Sequence, residues 1–263
     1  MPNIIEVKNL VKTFGEIEAV KNISFDVKKG EAFALLGPNG AGKTTTIRML
    51  TTLLVPTSGE VILDNHDVSK KPNEVRNSFG IIFQDPSLDT ELTAYENMEI
   101  HAVMYGQNKS LYKPRIEELM KLVDLWERRD DLVKNFSGGM KRRLEIARGL
   151  LHHPKVLFLD EPTLGLDPQT RNNMWTHIKA LREKEGLSVF FTTHYMEEAE
   201  RNSDRIAVID HGKIVAEGSP EDLKKKTNTT SLEDAFLSLT GKQIRDEGAE
   251  SNISRMAHRW NRK

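Results

Sequence analysis

A chain of 263 residues, 38% apolar and 29% charged, is long enough for one substantial core, or for a core with a satellite subdomain. Its 38 Lys and Arg nearly balance its 39 Asp and Glu, so net charge gives no reason to expect bulk binding to nucleic acid. The lack of cysteine excludes a disulfide scaffold and a cysteine-ligated zinc site. We see no signal-peptide pattern and no apolar run near the ~18 residues of a membrane helix, so we expect a soluble, cytoplasmic protein.

The first segments predict short strands. IIEVKNL, IEAV and ISFDV alternate between apolar and polar residues, with Ile23, Phe25 and Val27 on one face. This alternation predicts an antiparallel sheet with one solvated side. The apolar run EAFALLG, from Glu31 to Gly37, predicts a buried strand, and KTTTIRMLTTLL after it predicts a helix that ends before Pro56. GEVILD and FGIIFQ add two strands.

The middle of the chain is helical. TAYENMEIHAVMYG, KPRIEELMKLVDLW and SGGMKRRLEIARGLL carry helical patterns with no strand signal between them, which predicts a helical subdomain over 93–151. Strand signals return in KVLFLD, SVFFTTH, RIAVID and GKIVAEG, with a helix from Pro168 to Glu185. Buried strands alternating with helices predict a mainly parallel α/β core made of 1–92 and 152–230.

The final segment, 231–263, differs from the core. SLEDAFLSLTG predicts a short helix with a serine cap and a terminal glycine, followed by a polar tail. In NISRMAHRWNRK, the residues Ile253, Met256 and Trp260 would share one helical face among basic side chains. Such a stretch could lie on an anionic membrane surface or in a partner groove, or it could be a solvated tail.

A phosphate-binding motif follows the predicted buried strand. Gly37, Pro38, Asn39, Gly40, Ala41, Gly42, Lys43 and Thr44 match G-x-x-x-x-G-K-[ST] between a strand and a helix, which is the context that this motif requires. The glycines let backbone N–H groups point at phosphate oxygens. Lys43 would reach the β- and γ-phosphates, and the Thr44 hydroxyl would bind Mg²⁺, with Thr45 also at the nucleotide. A glycine-rich turn without a ligand is the alternative.

Two carboxylates follow another apolar strand. In VLFLDEP, Asp160 would hold Mg²⁺ and Glu161 would take a proton from an attacking water. Such a strand end is usually structural when it stands alone, but beside the phosphate-binding loop it predicts Mg-dependent ATP hydrolysis. The predicted fold is therefore an α/β P-loop NTPase with a mainly parallel core sheet, an N-terminal antiparallel β subdomain and an inserted α-helical subdomain.

A second anion-binding feature is the turn Ser137, Gly138 and Gly139 at the start of a predicted helix. It belongs to the predicted helical subdomain and not to the nucleotide-binding core. If two copies pair head to tail, this turn would face the P-loop of the other copy across the ATP γ-phosphate. An ordinary capped helix is the alternative interpretation.

With these motifs the chain resembles the ATP-binding subunits of ABC transporters, from about Ile4 to Gly241. The resemblance implies that FSGGM is the signature motif and that Gln84 in FQDP contacts Mg²⁺ or water and senses a membrane subunit. It implies that Asp167 in LGLD crosses the dimer interface and that His194 in FFTTHYMEEAE contacts the γ-phosphate. It also implies that Phe14 stacks on adenine.

Each of these residues has a structural alternative when it is considered alone. Gln84 could be a polar strand end, His194 a hydrogen-bonded histidine at a strand end, and Phe14 a core residue. Two positions depart from the family pattern: Phe14 replaces the commoner Tyr, and Met140 replaces the signature Gln. Because no catalytic residue is missing, we expect two competent sites in a homodimer.

Met140 with KRRLEIARGL, and SLEDAFLSLTG, resemble the daunorubicin-resistance type of multidrug exporter. This implies an ATPase subunit at the cytoplasmic face of the cell membrane, bound to a separate permease through Thr93 to Trp126 and the loop at Gln84, with no nucleic acid. The alternative is a soluble ABC-type ATPase acting on nucleic acid or the ribosome. Long coiled-coil insertions, zinc cysteines and a second P-loop, which such proteins typically carry, are lacking.

Overall fold

The computed structural model describes residues 2–241. In chain order its strands are β1 (Asn3–Phe14), β2 (Ile17–Lys28), β3 (Ala32–Leu36), β4 (Ser58–Leu63), β5 (His66–Asp67), β6 (Phe79–Ile82), β7 (Val156–Asp160), β8 (Ser188–Thr193), β9 (Arg205–Asp210) and β10 (Lys213–Gly218). Its helices are α1 (Lys43–Leu50), α2 (Pro72–Asn77), α3 (Ala94–Met104), α4 (Lys109–Leu122), α5 (Gly138–Gly149), α6 (Pro168–Glu185), α7 (Met196–Asn202), α8 (Pro220–Thr227) and α9 (Leu232–Thr240). The predicted amphipathic stretch NISRMAHRWNRK lies outside the described residues.

Four strands form an antiparallel sheet in the order β2-β1-β4-β5. Ile23, Phe25 and Val27 are buried, as their alternation predicted. The prediction of separate strands in IEAV and ISFDV was wrong, because β2 runs through both segments. Asn22 has φ of 53°, and the pairing of β2 with β1 shifts register beside it, so a bulge stands where the break was expected.

The second sheet has the strand order β10-β9-β3-β8-β7-β6. β9, β3, β8, β7 and β6 run parallel, and β10 pairs antiparallel with β9 at one edge. The mainly parallel core sheet is therefore confirmed. The carboxyl ends of β3, β7 and β8, which are neighbours, meet at one edge of the sheet, and ligands of open α/β sheets bind at such an edge.

Each face of this sheet packs into a separate hydrophobic cluster. In β3, Ala32, Ala34 and Leu36 join a cluster with helices α3 to α6, while Phe33 and Leu35 join a cluster with α1 and the antiparallel sheet. Both faces of β3 are therefore covered, which explains why its residues are apolar.

The segment between β6 and β7 contains three α-helices, as the sequence predicted. α3 begins in a capping box, in which the Glu96 amide donates to the Thr93 hydroxyl and the Thr93 amide donates to the Glu96 carboxylate. Two 3-10 turns, Trp126–Arg128 and Val133–Asn135, connect α4 to α5. Within residues 2–241, no helix combines the length and the apolar character needed to cross a membrane.

Four short elements were not predicted: α2, α7, α8 and β5. α8 carried a usable signal, since Ser219 caps it, Pro220 occupies its first turn and Asp222 completes a capping box. α7 buries only Glu198 and Ala199, which gives too narrow an apolar face for periodicity to reveal. The predicted helix in SLEDAFLSLTG is confirmed as α9.

Candidate nucleotide site

The glycine-rich loop connects β3 to α1 at the carboxyl edge of the parallel sheet, as predicted. A Cβ atom on Gly37 would lie 2.3 Å from the Ile209 carbonyl oxygen in β9, so only glycine fits there. Gly42 has φ of 106°, a conformation that favours glycine, and its Cβ would lie 2.7 Å from the Ala19 carbonyl oxygen. The loop is therefore fixed by close contacts on both sides. Asn39 and Gly40 at its tip are exposed.

The ammonium group of Lys43 is enclosed, with the side chain 5% exposed. Nζ donates to the carbonyl oxygens of Gly37 at 2.8 Å and Pro38 at 3.1 Å, and it lies 2.9 Å from Glu161 Oε1. These contacts use all three ammonium donors. Lys43 thus connects the loop to the carboxylates after β7.

Asp160, the last residue of β7, is almost fully buried beside two hydroxyl groups. Thr192 Oγ1 donates to Asp160 Oδ1 at 2.6 Å, and Thr44 Oγ1 donates to the same oxygen at 3.2 Å. Burial raises the pKa of Asp160, and these two hydrogen bonds oppose that effect. The structure therefore brings the predicted metal ligands Thr44 and Asp160 together.

Glu161 lies next to Asp160 in an unusual backbone conformation. Its φ is 46°, and its amide donates to the carbonyl oxygen of Thr192 at 3.2 Å and to the Thr192 hydroxyl at 3.0 Å. These bonds from β8 hold a non-glycine residue in the left-handed region, a strain often found at functional sites. In this conformation the Glu161 carboxylate contacts Lys43 and His194.

Glu161 and His194, each predicted to act at the nucleotide, are in contact. His194 Nδ1 donates to Glu161 Oε2 at 2.9 Å, which places the proton on Nδ1 because the carboxylate is ionised. Burial alone would raise the pKa of Glu161, but the hydrogen bond from His194 and the charge of Lys43 outweigh it and lower the pKa to about 2. Glu161 is therefore a weak base in this state.

The turn at Ser137 caps α5. The Met140 amide donates to Ser137 Oγ at 3.3 Å, and Gly138 has open space around it. A Cβ on Gly139 would lie 2.5 Å from Thr170 Cγ2 in α6. A cavity of 280 Å³ lies beside this turn, lined by Asp124, Ser137, Gly139, Met140, Arg143, Thr170, Asn173, Thr176 and His177. These residues lie in α5, in α6, at the Ser137 cap or, for Asp124, just after α4, so no residue of the P-loop lines the cavity.

Three further predicted residues lie at the borders of this region. Asp167 caps α6, where it accepts bonds from the amides of Gln169 at 3.1 Å and Thr170 at 3.0 Å. Gln84 is exposed in the loop after β6, and no hydrogen bond within residues 2–241 joins its side chain to Thr44 or Asp160. Phe14 ends β1, is half-buried, and has Lys12 Nζ 5.1 Å from its ring centre.

Sequence reasoning missed two residues that organise the site. Thr192 bonds both Asp160 and the Glu161 amide, and it is wholly buried. Arg142 in α5 donates to the Pro162 and Gln84 carbonyl oxygens, at 3.0 and 3.3 Å, which links the helix to both loops. For Thr192 the sequence offered a weak signal, because threonine hydroxyls precede His194. For Arg142 it offered no signal, because one arginine in a basic helix does not stand out.

The phosphate-binding loop, the paired carboxylates and the parallel sheet define a P-loop ATPase. A family model described as ABC transporter matches residues 20–164, and the chain belongs to this family, whose ATP-binding subunits are ATPases. The chain is 43% identical over 220 residues to the linearmycin resistance ATP-binding protein LnrL of Bacillus subtilis, covering 84% of this chain and 70% of that protein. It is 43% identical over 228 residues to the daunorubicin/doxorubicin resistance ATP-binding protein DrrA of Streptomyces peucetius, covering 87% and 69%.

Solved structures agree with this family. An ATP-binding subunit of an ABC transporter superposes with a TM-score of 0.81 at 29% identity, covering 90% of this chain and 99% of that one. A dimeric ATP-binding cassette in a post-hydrolysis state, bound to ADP and Pi, superposes with a TM-score of 0.73 at 30% identity, covering 82% and 98%. The predicted fold, family and ATPase class are confirmed, and the named relatives agree with the drug-resistance subgroup.

Proposed function

We propose that this chain is the ATP-hydrolysing subunit of an exporter, and that Mg-ATP held between two head-to-tail copies drives a separate membrane subunit. The observation that carries this proposal is the contact of Lys43 and His194 with the two oxygens of Glu161 at the end of the parallel sheet. A phosphate-binding lysine, a candidate base and a candidate orienting histidine meet there.

The loop fits a nucleoside triphosphate. The ammonium of Lys43 is bonded to two loop carbonyl oxygens, which the more strongly accepting phosphate oxygens would replace. We assign the phosphates to residues 37–45, because the glycines of this loop allow backbone amides to point at phosphate oxygens. Phe14 would supply a face for the adenine base, since its half-buried ring ends β1.

The oxygens of Thr44 and Asp160 fit Mg²⁺, which prefers hard oxygen ligands. Within the described part of the chain, no group of three or more His, Cys, Asp or Glu side chains could hold a metal ion. This fits an ion that takes its remaining ligands from phosphate and water, with Gln84 as a further ligand. When bound, Mg²⁺ would neutralise charge on the phosphates.

The ion pair with Lys43 suggests how Glu161 becomes a base. While Lys43 pairs with it, the pKa of Glu161 is about 2, far below the value at which a carboxylate removes a proton efficiently near neutral pH. A γ-phosphate that draws Lys43 away would remove one charge that lowers this pKa and add a negative charge nearby. Both effects raise the basicity of Glu161, while His194 keeps its orientation.

The turn Ser137–Gly139 would complete the site of a second copy. It is a helix N-terminus with an uncrowded glycine, and its cavity is distinct from the loop of the same chain, as a composite site requires. Asp167, at the start of α6, would lie across the interface. The dimeric form of the related cassette bound to ADP and Pi supports this arrangement.

An exposed apolar surface on α3 supports the proposal that this chain binds a membrane partner. Ile100, Val103 and Met104 are 48%, 59% and 79% exposed, while Met98 and Ala102 cover the opposite, buried face. Adjoining apolar side chains exposed on one helix are typical of an interaction site. We propose that Thr93 to Trp126 and the loop at Gln84 receive the permease at the cytoplasmic face of the membrane. Because the two relatives named above are drug-resistance proteins, we also propose that the transporter exports its substrate.

Hydrolysis by the purified chain tests the catalytic assignment. We expect Glu161→Gln to bind a fluorescent ATP analogue but to hydrolyse ATP at least about a hundredfold more slowly, because it lacks the proposed base. Glu91→Gln, an exposed glutamate paired with Lys134, is the matched control and should hydrolyse normally. Wild-type turnover in Glu161→Gln would contradict the assignment.

Cosedimentation from a lysate tests the partner. We expect the chain to sediment with membranes, and we expect Met104→Asp to weaken that association while ATP hydrolysis is retained. Sedimentation with ribosomes instead would favour a soluble ABC-type ATPase acting on the ribosome or on nucleic acid.

A further inference from the structure

Two side chains next to the candidate catalytic pair form a stack that the proposed mechanism does not use. The rings of His194 and Tyr195 are 4.1 Å apart between centroids, tilted by 40°. The guanidinium carbon of Arg171 lies 4.7 Å from the centre of the Tyr195 ring. A chain of contacts therefore runs from Arg171 through Tyr195 and His194 to Glu161.

The ends of two helices fix the members of this stack. Tyr195 occupies the N-cap position of α7 without a side-chain capping bond, and its amide donates to Thr193 Oγ1 at 3.0 Å. Arg171 lies in the first turn of α6, where its amide donates to the Asp167 carbonyl oxygen at 3.0 Å. The stack thus connects the segment after β8 with the start of α6.

Hydrogen bonds do little to hold the Arg171 guanidinium. Its Nε is buried and has no hydrogen-bond partner within residues 2–241, and its closest acceptor is the Leu166 carbonyl oxygen at 3.5 Å, the outer limit for such a bond. The face of the Tyr195 ring is then its principal contact. A partly desolvated cation over an aromatic face is stabilising, and it fixes the plane of that ring.

The ring of His194 needs such support. Its single described hydrogen bond, from Nδ1 to Glu161, leaves rotation of the imidazole about the Cβ–Cγ bond weakly restricted, because this torsion has a broad, two-fold energy profile. A half-turn would place a ring carbon at the carboxylate in place of Nδ1. A ring stacked against the imidazole makes that rotation costly.

We propose that Arg171 and Tyr195 are positioning residues that hold the imidazole of His194 in the orientation that bonds Glu161. The proposal rests on the proposed function for its catalytic consequence, but the orientation itself is a property of the nucleotide-free chain. Arg171 lies next to Asp167 at the start of α6. If this part of α6 packs against a second copy, that contact would also fix the orientation of the His194 imidazole.

Imidazole NMR of the ¹⁵N-histidine-labelled full chain tests the orientation without catalysis. We expect the His194 signal of the wild type to show one tautomer with the proton on Nδ1. Arg171→Leu and Tyr195→Leu should give a mixture of tautomers, whereas Tyr195→Phe, which keeps the ring, should retain the wild-type signal. Arg201→Leu, which removes an exposed arginine paired with Glu197 on α7, is the matched control.

Steady-state hydrolysis by the same variants tests the consequence. We expect kcat to fall about fivefold in Arg171→Leu and Tyr195→Leu, the size of one cation–π contact, with KM for ATP changed less than about twofold. Tyr195→Phe and Arg201→Leu should match the wild type. If a leucine variant fails to fold, Arg171→Gln, which keeps polarity but removes the charge, carries the same test.

The outcomes separate this inference from the proposed function. If the wild type does not hydrolyse ATP, the proposed function fails, and the NMR signal still decides the positioning role. If the wild type is active and the variants keep both its tautomer signal and its kcat, the positioning role is overturned. A rise in KM with kcat unchanged would overturn it as well, because it would assign the pair to nucleotide binding.

Discussion

Replacement of Glu161 by glutamine should destabilise the nucleotide-free chain. Burial alone would raise the pKa of Glu161, but His194 and Lys43 lower it from 4.5 to about 2. A shift of this size corresponds to about 3 kcal/mol in favour of the ionised form in the folded protein. Glutamine resembles the neutral form, so we expect the free energy of unfolding to fall by about 3 kcal/mol and Tm by about 6–12 °C at pH 7.

The pH dependence of this difference has a defined sign. Because the pKa of Glu161 is lowered by folding, its stabilising contribution is fully present above pH 4.5 and is lost as pH falls toward 2. The difference in unfolding free energy between the wild type and Glu161→Gln should therefore stay constant from pH 8 to about 5 and shrink below about 4.5.

Urea unfolding of both proteins without nucleotide measures this difference. Glu91→Gln is the control, because Glu91 pairs with Lys134 on the surface, where such a pair contributes at most about 1 kcal/mol. Equal midpoints for Glu161→Gln and Glu91→Gln would show that the contacts of Glu161 with Lys43 and His194 do not stabilise the nucleotide-free fold, and would refute the reasoning.

Four other substitutions test close packing and a buried histidine. Gly37→Ala would place Cβ 2.3 Å from a backbone oxygen, so we expect loss of ATP-analogue binding and a lower Tm. Gly139→Ala should lower stability by about 1–3 kcal/mol through its contact with Thr170, whereas Gly138→Ala, which has open space, should not, as thermal unfolding will show. Burial and nearby positive charge lower the pKa of His101 to about 3, so stability should fall as pH drops from 6.5 toward 3. His101→Phe should weaken this dependence in pH-dependent melts, while His152, whose pKa burial also lowers, keeps part of it.

Much of the fold was predictable because its strongest elements carry local signals. β3 and β7 are apolar along their whole length, and the loop between β3 and α1 follows a fixed spacing. Parallel strands bring their carboxyl ends to one edge of the sheet, so the loop that carries Lys43 and the carboxylates Asp160 and Glu161 could be expected at the same edge. The bulge at Asn22 was not predictable in this way, because a break and a bulge leave the same interruption in the alternation.

The contacts within the site depend on features that single positions do not show. Glu161 turns toward Lys43 because β8 holds its backbone at a positive φ, and no local pattern marks such a conformation. The stack of Arg171 on Tyr195 joins residues 24 positions apart in sequence and depends on how α6 and α7 begin. The position of a second copy could not be predicted from single positions either, because it depends on an interface between two chains.

Light scattering coupled to size-exclusion chromatography of Glu161→Gln, with and without Mg-ATP, tests the composite nucleotide site most directly. We predict that the mass doubles only with Mg-ATP, and that adding Gly138→Asp, which places a carboxylate in open space at the turn, prevents the change. A Glu161→Gln chain that binds ATP and stays monomeric, or that dimerises equally well with Gly138→Asp, would contradict the account.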